Sequence, residues 1–219
     1  MLNLNRLRKD EIVSRMNFRC SHRHNGIDHD KCFNEHHTDK KRVGYLDIET
    51  SGLFANFGIM LAYCIKEANS DKIYGRCVQV KEMKELLDKN LVQDCITDMK
   101  NFDVLITYNG TRFDFPFLRT RALKNKLNFP KYMDLMHKDA YYMAKGRLRL
   151  HRKSMEVVAY SLGIPGKTHV IGDKWINATI RHDQKCLNEI LEHCKDDVRV
   201  LEKVYLELKD YVKDTRRSV

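Results

Sequence analysis

The sequence predicts an α/β fold: a mixed five-stranded sheet flanked by helices, preceded by a small Cys/His-rich element. Three observations carry this. From Val43 onward, short apolar runs of strand length alternate with longer stretches of helical periodicity, the pattern of a sheet covered by helices. Hydrophobic residues make up 42% of 219, enough for one large core plus a small appended element. Before that core, two cysteines and five histidines crowd into residues 20–37, a composition no hydrophobic core would select. The expected division is therefore an N-terminal element, residues 1–42, and a main domain, residues 43–219.

Charge and cysteine usage narrow the class. Lys and Arg number 40 against 30 Asp and Glu, a formal charge of +10 that favours polyanionic partners, nucleic acid above all. No apolar run approaches the roughly 20 residues that span a bilayer, and the polar N-terminus lacks a signal-peptide core. The expectation is a soluble, intracellular, cytoplasmic protein without a membrane partner. Seven cysteines, five of them scattered through predicted elements, fit reduced thiols better than a disulfide framework.

In chain order, residues 1–18 carry a weak amphipathic pattern (Leu4, Leu7, Ile12, Val13, Met16) and are expected as a helix. Cys20-x-His22 and His29-x-x-Cys32 then read as two knuckles around a loop containing Gly26, with His24 and His36 as substitutes. Thiolate and neutral imidazole are the ligands Zn²⁺ prefers, and four protein ligands make such a site structural. A His-rich basic arm contacting phosphate has a similar composition. Residues 43–49, 57–65 and 72–80 read as three strands whose short connections imply an antiparallel meander. Residues 81–101 read as one helix. Residues 103–107 form an almost continuously apolar strand, the mark of a strand covered on both faces. A turn at residues 108–112 leads into a helix opened by Phe113-Asp114-Phe115-Pro116, where the missing N–H of Pro116 matters little. A fifth strand is expected at 131–136 and a helix over 137–146. Residues 147–153 pack four cations and a histidine, either a phosphate-facing connection or a plain exposed charge run. A helix over 154–162, a loop containing Lys167, and the single Trp175 precede the last helix, residues 184–213, the most strongly patterned element.

Four carboxylates stand out against this frame. Asp47 and Glu49, two apart in a strand, share one face. Burying two such anions requires a cation, and oxygen ligands suit Mg²⁺ or Mn²⁺; the alternative is an edge strand with solvated acids. Asp114 falls at the carboxyl end of a central strand, where α/β sheets put ligands, although a helix N-cap reads the same way. In the last helix Leu187, Ile190, Leu191, Cys194, Val198, Leu201, Tyr205 and Leu208 form one stripe. Asp197 lies at its edge and Asp196 points away, with His193 one turn before Asp197.

Together, Asp47-Ile48-Glu49-Thr50, Asn109-Gly110-Thr111-Arg112-Phe113-Asp114 and His193-Cys194-Lys195-Asp196-Asp197 resemble, in order and spacing, the motifs of the DEDD superfamily of 3′→5′ exonucleases, whose fold is ribonuclease H-like. The resemblance spans residues 43–208. It includes Lys153-Ser154-Met155 and Leu162-Gly163-Ile164, which look like the segment before the third motif in family B polymerase proofreading domains. The third motif departs from the main branches, which carry Tyr four residues or His five residues before the last Asp. His four before it is similar to a bacterial and phage group of ribonuclease H-like proteins.

The resemblance implies a metal-dependent nuclease: a 3′→5′ exonuclease acting on nucleic acid, single-stranded ends favoured, with two Mg²⁺ or Mn²⁺ ions. Asp47, Glu49 and Asp197 would hold the ion that activates water, and Asp47 would bridge to a second ion supported by Asp114. His193 would take the proton, Asn109 and Phe113 would position the scissile nucleotide, and Lys167 would contact phosphate or the leaving group. A catalytically inactive nucleic-acid-binding or scaffold protein on the same fold, and an endonuclease with the same metal site, are the competing readings. The motifs do not distinguish DNA from RNA.

Overall fold

The computed structural model describes residues 7, 9–37, 41–132, 134–166, 172–212 and 217–218. Two short helices, α1 (Lys9–Asn17) and α2 (Asp30–His37), precede the strands β1 (Val43–Thr50), β2 (Met60–Glu67), β3 (Ile73–Cys77), β4 (Val104–Thr107), β5 (Met136–Asp139) and β6 (Arg217–Ser218). The strands form one sheet in the order β3-β2-β1-β4-β5-β6. β1, β2 and β3 pair antiparallel as a meander, whereas β4 runs parallel to β1 and β5 parallel to β4. The central position of β1 follows from its sequence. Leu46 and Ile48 feed one core, under α3 (Val80–Leu86), α4 (Lys89–Met99) and α5 (Asp114–Lys124), and Tyr45 feeds a second on the opposite face. That second core is covered by α6 (Ala140–Arg147), α7 (Met155–Ser161) and the long α9 (Gln184–Leu208), while α8 (Gly172–Ile180) leads into α9. Period-two alternation thus sends Asp47 and Glu49 to the α9 side.

Several expected boundaries move, each for a local reason. The expected mixed sheet of five strands, β1 to β5, is present, and two-residue β6, too short to show any periodicity, adds a sixth at the edge of β5. The fifth strand is Met136–Asp139, not residues 131–136. Asp134 accepts from the Lys131 amide at 2.8 Å and closes a turn where the strand was expected. Asp139 then caps α6 through the Tyr141 amide at 3.1 Å, so the helix starts at Ala140 rather than at 137. The second strand begins at Met60, leaving Phe57 in an exposed turn.

The expected helix over 81–101 is two helices, broken where Leu87 takes a left-handed φ of 55°. The break aims Asp88 inward. Its carboxylate receives two hydrogen bonds from Arg121 Nε (2.8 and 3.2 Å), one from Arg121 Nη2 (2.5 Å) and one from the Met60 amide (2.8 Å). Arg121 Nη1 also donates to the Ala55 carbonyl at 3.1 Å. Both side chains are fully buried, so this forked pair joins α5, the start of α4, β2 and the loop after β1 into one block.

Candidate active site

The carboxyl end of β1 supplies the first two acids. Asp47 and Glu49 are partly exposed and face α9, whose Cys194 packs beneath them with Sγ 3.7 Å from Asp47 Oδ2 and 3.5 Å from the Asp47 carbonyl. Burial pushes the Cys194 thiol far above its ordinary range, so it stays protonated and serves as a donor to Asp47. From α9, His193 and Asp197 are buried one helical turn apart. His193 Nε2 lies 3.7 Å from Glu49 Oε1 and 3.8 Å from Asp197 Oδ2, and the three residues bring one ligand atom each within 4.8 Å of one another. Asp196 turns outward and pairs with Arg199 at 2.8 Å.

The second motif is a turn built around its backbone. Asn109 adopts a left-handed φ of 66°, which asparagine tolerates better than most residues. Gly110 follows because a Cβ there would sit 2.2 Å from Thr107 Oγ1, the atom that accepts the Gly110 amide at 3.1 Å. Asp139, at the end of β5, accepts the Asn109 amide at 2.8 Å and the Thr111 amide at 3.0 Å. So fixed, the turn delivers Phe113 to the N-cap of α5 and Asp114 to its first position. Asp114 is 3% exposed, and its carboxyl accepts backbone hydrogen bonds from its own amide and from Ile48, between Asp47 and Glu49. Burial, reinforced by the negative charge of Asp139, pushes its pKa up to about 7.

Glu49, His193 and Asp197 therefore meet, Asp47 and Glu49 converge with Cys194 beside them, and the Asp114 carboxyl accepts from the Ile48 amide on the same strand. Carboxylate oxygens are a donor set for hard divalent cations; the protonated Cys194 is not a ligand of that class. Asn109 also lines an open cleft of about 480 Å³ together with Tyr108, Tyr141, Arg152 and Lys153. Tyr108 donates to the Lys153 carbonyl at 2.7 Å, and its ring meets Tyr141 edge-on at 6.0 Å. The cationic segment before α7 is thus a wall of this cleft. Lys167 lies outside the described residues.

Three neighbours escaped the sequence reading. Asp139 positions the second motif from another strand, Cys194 supports Asp47, and Trp175 of α8 donates to the Thr50 carbonyl at 3.2 Å with its ring edge-on to His193 at 6.1 Å. Only Trp175 carried a signal, as the single tryptophan. At the N-terminal end, Cys20, His22, His29 and Cys32 bring their ligand atoms within 4.8 Å of one another. His24 lies beside them, its ring 5.2 Å from that of His29. The side chain of His36 lies outside the described residues.

The comparisons with known proteins agree with this architecture. Over an alignment 127 positions long that covers 49% of the chain, it is 28% identical to a DNA polymerase of Methanocaldococcus jannaschii, of which the match spans only 8%. A family B DNA polymerase from the archaeon Pyrobaculum calidifontis superposes with a TM-score of 0.64 at 16% identity, over 78% of this chain and 25% of that one, a likeness of fold. No described helix is long and apolar enough to cross a membrane. The family model of the RNase H superfamily matches residues 44–209, which hold β2 to β5, all but the first residue of β1, Asp114 and all of α9, and the chain belongs to that superfamily.

Proposed function

We propose that the protein is a divalent-metal-dependent 3′→5′ exonuclease of the DEDD type, hydrolysing phosphodiester bonds of nucleic acid with single-stranded ends favoured. One observation carries the reading: Glu49, His193 and Asp197 converge within 4.8 Å beside Asp47, at the carboxyl end of a central strand. Superfamily membership supports a nuclease, and similarity to DNA polymerases supports nucleic acid as the substrate class. The cleft beside Asn109, with two tyrosines and two cations, suits a single strand, since stacking and phosphate contact need no base sequence.

In this reading Asp47, Glu49 and Asp197 would hold one Mg²⁺ or Mn²⁺, and Asp47 and Asp114 would hold a second. When bound, the ions supply Lewis-acid chemistry that activates a water and neutralises charge on the departing 3′-oxygen. His193 accepts the proton of the attacking water, a task suited to imidazole because it exchanges protons near neutrality. Glu49 and Asp197, on either side of Nε2, orient the ring and stabilise the cation formed. Cys194 holds the Asp47 carboxylate in place, and Trp175, bonded to the Thr50 carbonyl at the strand end, sets its ring edge-on against His193. Asn109 and Phe113 position the terminal nucleotide, and Lys167, outside the described residues, is assigned to phosphate or the leaving group.

A 5′-labelled single strand incubated with the protein and Mn²⁺ should shorten stepwise from its 3′ end. Asp47→Ala or Asp197→Ala should reduce this to background, and His193→Gln should slow it by about 10²–10⁴-fold, while Asp196→Asn leaves it unchanged. Trimming at the wild-type rate by either Ala variant would refute the assignment. An inactive scaffold would bind the strand and leave it intact in every metal.

A further inference from the structure

The N-terminal element is too small to hold itself together by burial. Its helices have nine and eight residues, short of the roughly 12–15 at which an isolated helix becomes even marginal in water. Among the described residues, neither hydrophobic core of the main domain contains one before Val43. Among the described residues of the element, Phe33 is the buried hydrophobic side chain, meeting Phe18 edge-on at 5.3 Å. Arg15 adds cohesion: it donates to the Gly26 carbonyl (3.0 Å), Asp30 (2.6 Å) and Asn34 (2.9 Å) and lies 4.2 Å over the Phe33 ring. One buried guanidinium and one aromatic pair are a slender core, and elements of this size ordinarily need a cross-link.

The cross-link has a place. Cys20 Sγ is 3.5 Å from His29 Nδ1 and 3.8 Å from His22 Nδ1, and Cys32 Sγ is 3.9 Å from His22 Nδ1. An ion at the centre of a tetrahedron, with sulfur at about 2.3 Å and nitrogen at about 2.0–2.1 Å, sets the sulfur–nitrogen edge at about 3.6 Å. The observed edges bracket that value from just below to slightly above. A disulfide between the two cysteines would leave the convergence of two imidazole nitrogens unexplained, and the two are not joined by one.

We propose that Cys20, His22, His29 and Cys32 bind one Zn²⁺ in a closed tetrahedral site, and that this ion, more than hydrophobic burial, holds α1, the loop and α2 together. Thiolate and imidazole select zinc over the hard cations that suit the carboxylate site, so the two sites load with different metals. Four protein ligands leave no position for a substrate, which makes the role structural. His24 stands beside the four as a bystander. Because the main domain's cores exclude this element, removing the ion should unfold residues 9–37 and leave the sheet intact.

The test is metal analysis and Co²⁺ titration of the full chain, neither of which depends on nuclease activity. Purified protein should hold about one zinc per chain after dialysis against Mg²⁺. Co²⁺ added after zinc removal should produce the visible ligand-field and near-ultraviolet thiolate bands of a tetrahedral S₂N₂ site. Cys20→Ser and Cys32→Ser should each lower zinc content about tenfold or more, His24→Ala should keep it, and chelation should open residues 9–37 to proteolysis ahead of the main domain. Wild-type protein that holds no zinc and gives no such cobalt bands would overturn the proposal, as would full zinc content in both Cys variants. The cobalt readout on wild-type protein stands even where a variant fails to fold.

Discussion

At the head of α5, Asp114 occupies an environment that works against its own charge. Burial and the neighbouring Asp139 raise its pKa to about 7. In the metal-free protein the folded state thus binds a proton more tightly than the unfolded chain. The stability this contributes is complete below the ordinary carboxylate range, near pH 4, and is lost as pH rises toward 7; above that, a buried carboxylate is held at a cost of at most about 4 kcal/mol. In chelator, Asp114→Asn should therefore melt several degrees above wild type at pH 8, with the gap closing toward pH 4, because the amide oxygen keeps both backbone hydrogen bonds without the charge. Mn²⁺ should raise the melting temperature of the wild type at pH 8 more than that of the variant. A variant no more stable than wild type at pH 8 would contradict this account of Asp114.

Among the elements, the junction between α3 and α4 matters most to the placement of the site. The left-handed Leu87 turns Asp88 into the forked pair with Arg121, which ties α5, and hence Asp114, to the loop following Glu49. Removing one member strands the other without water: Asp88→Leu or Arg121→Met should each cost about 3–5 kcal/mol in urea unfolding, and the double variant should cost clearly less than the sum. Additive losses would show that the pair is not coupled. This junction was not legible in the sequence, because Asp88 and Arg121 lie 33 positions apart and the apolar periodicity runs on through the break. β5 was misplaced for a related reason: Met136-His137-Lys138-Asp139 lacks a strand pattern and is held by β4 and β6 on either side. β1 and α9 were legible because each repeats its period long enough to show a face. Period two put Asp47 and Glu49 together, and the 3.6-residue stripe separated Asp197 from Asp196. Asp139 and Cys194 carry no such local signal; their importance is created by the partners the fold brings to them.

Across the whole molecule, two chemistries occupy separate regions. Hard oxygen donors gather at the carboxyl end of β1, and soft sulfur and nitrogen donors gather in residues 20–32, each in the region its sequence marked by composition. The fold class and the strand order of the meander could be read ahead of the structure, whereas the sixth strand and the Tyr108–Lys153 cleft could not, since both depend on distant segments meeting. The formal charge of +10 accords with a polyanion partner, and the cations at Arg152 and Lys153 put part of it beside the second motif. The central claim, a carboxylate site that works inward from a 3′ end with divalent metal, is tested most directly by the first product released. A 3′-labelled single strand should yield labelled mononucleotide as its first product in Mn²⁺ and nothing in chelator, while a covalently closed circle of the same sequence stays intact. Labelled fragments longer than one nucleotide, nicking of the circle, or release that persists in chelator would contradict the account.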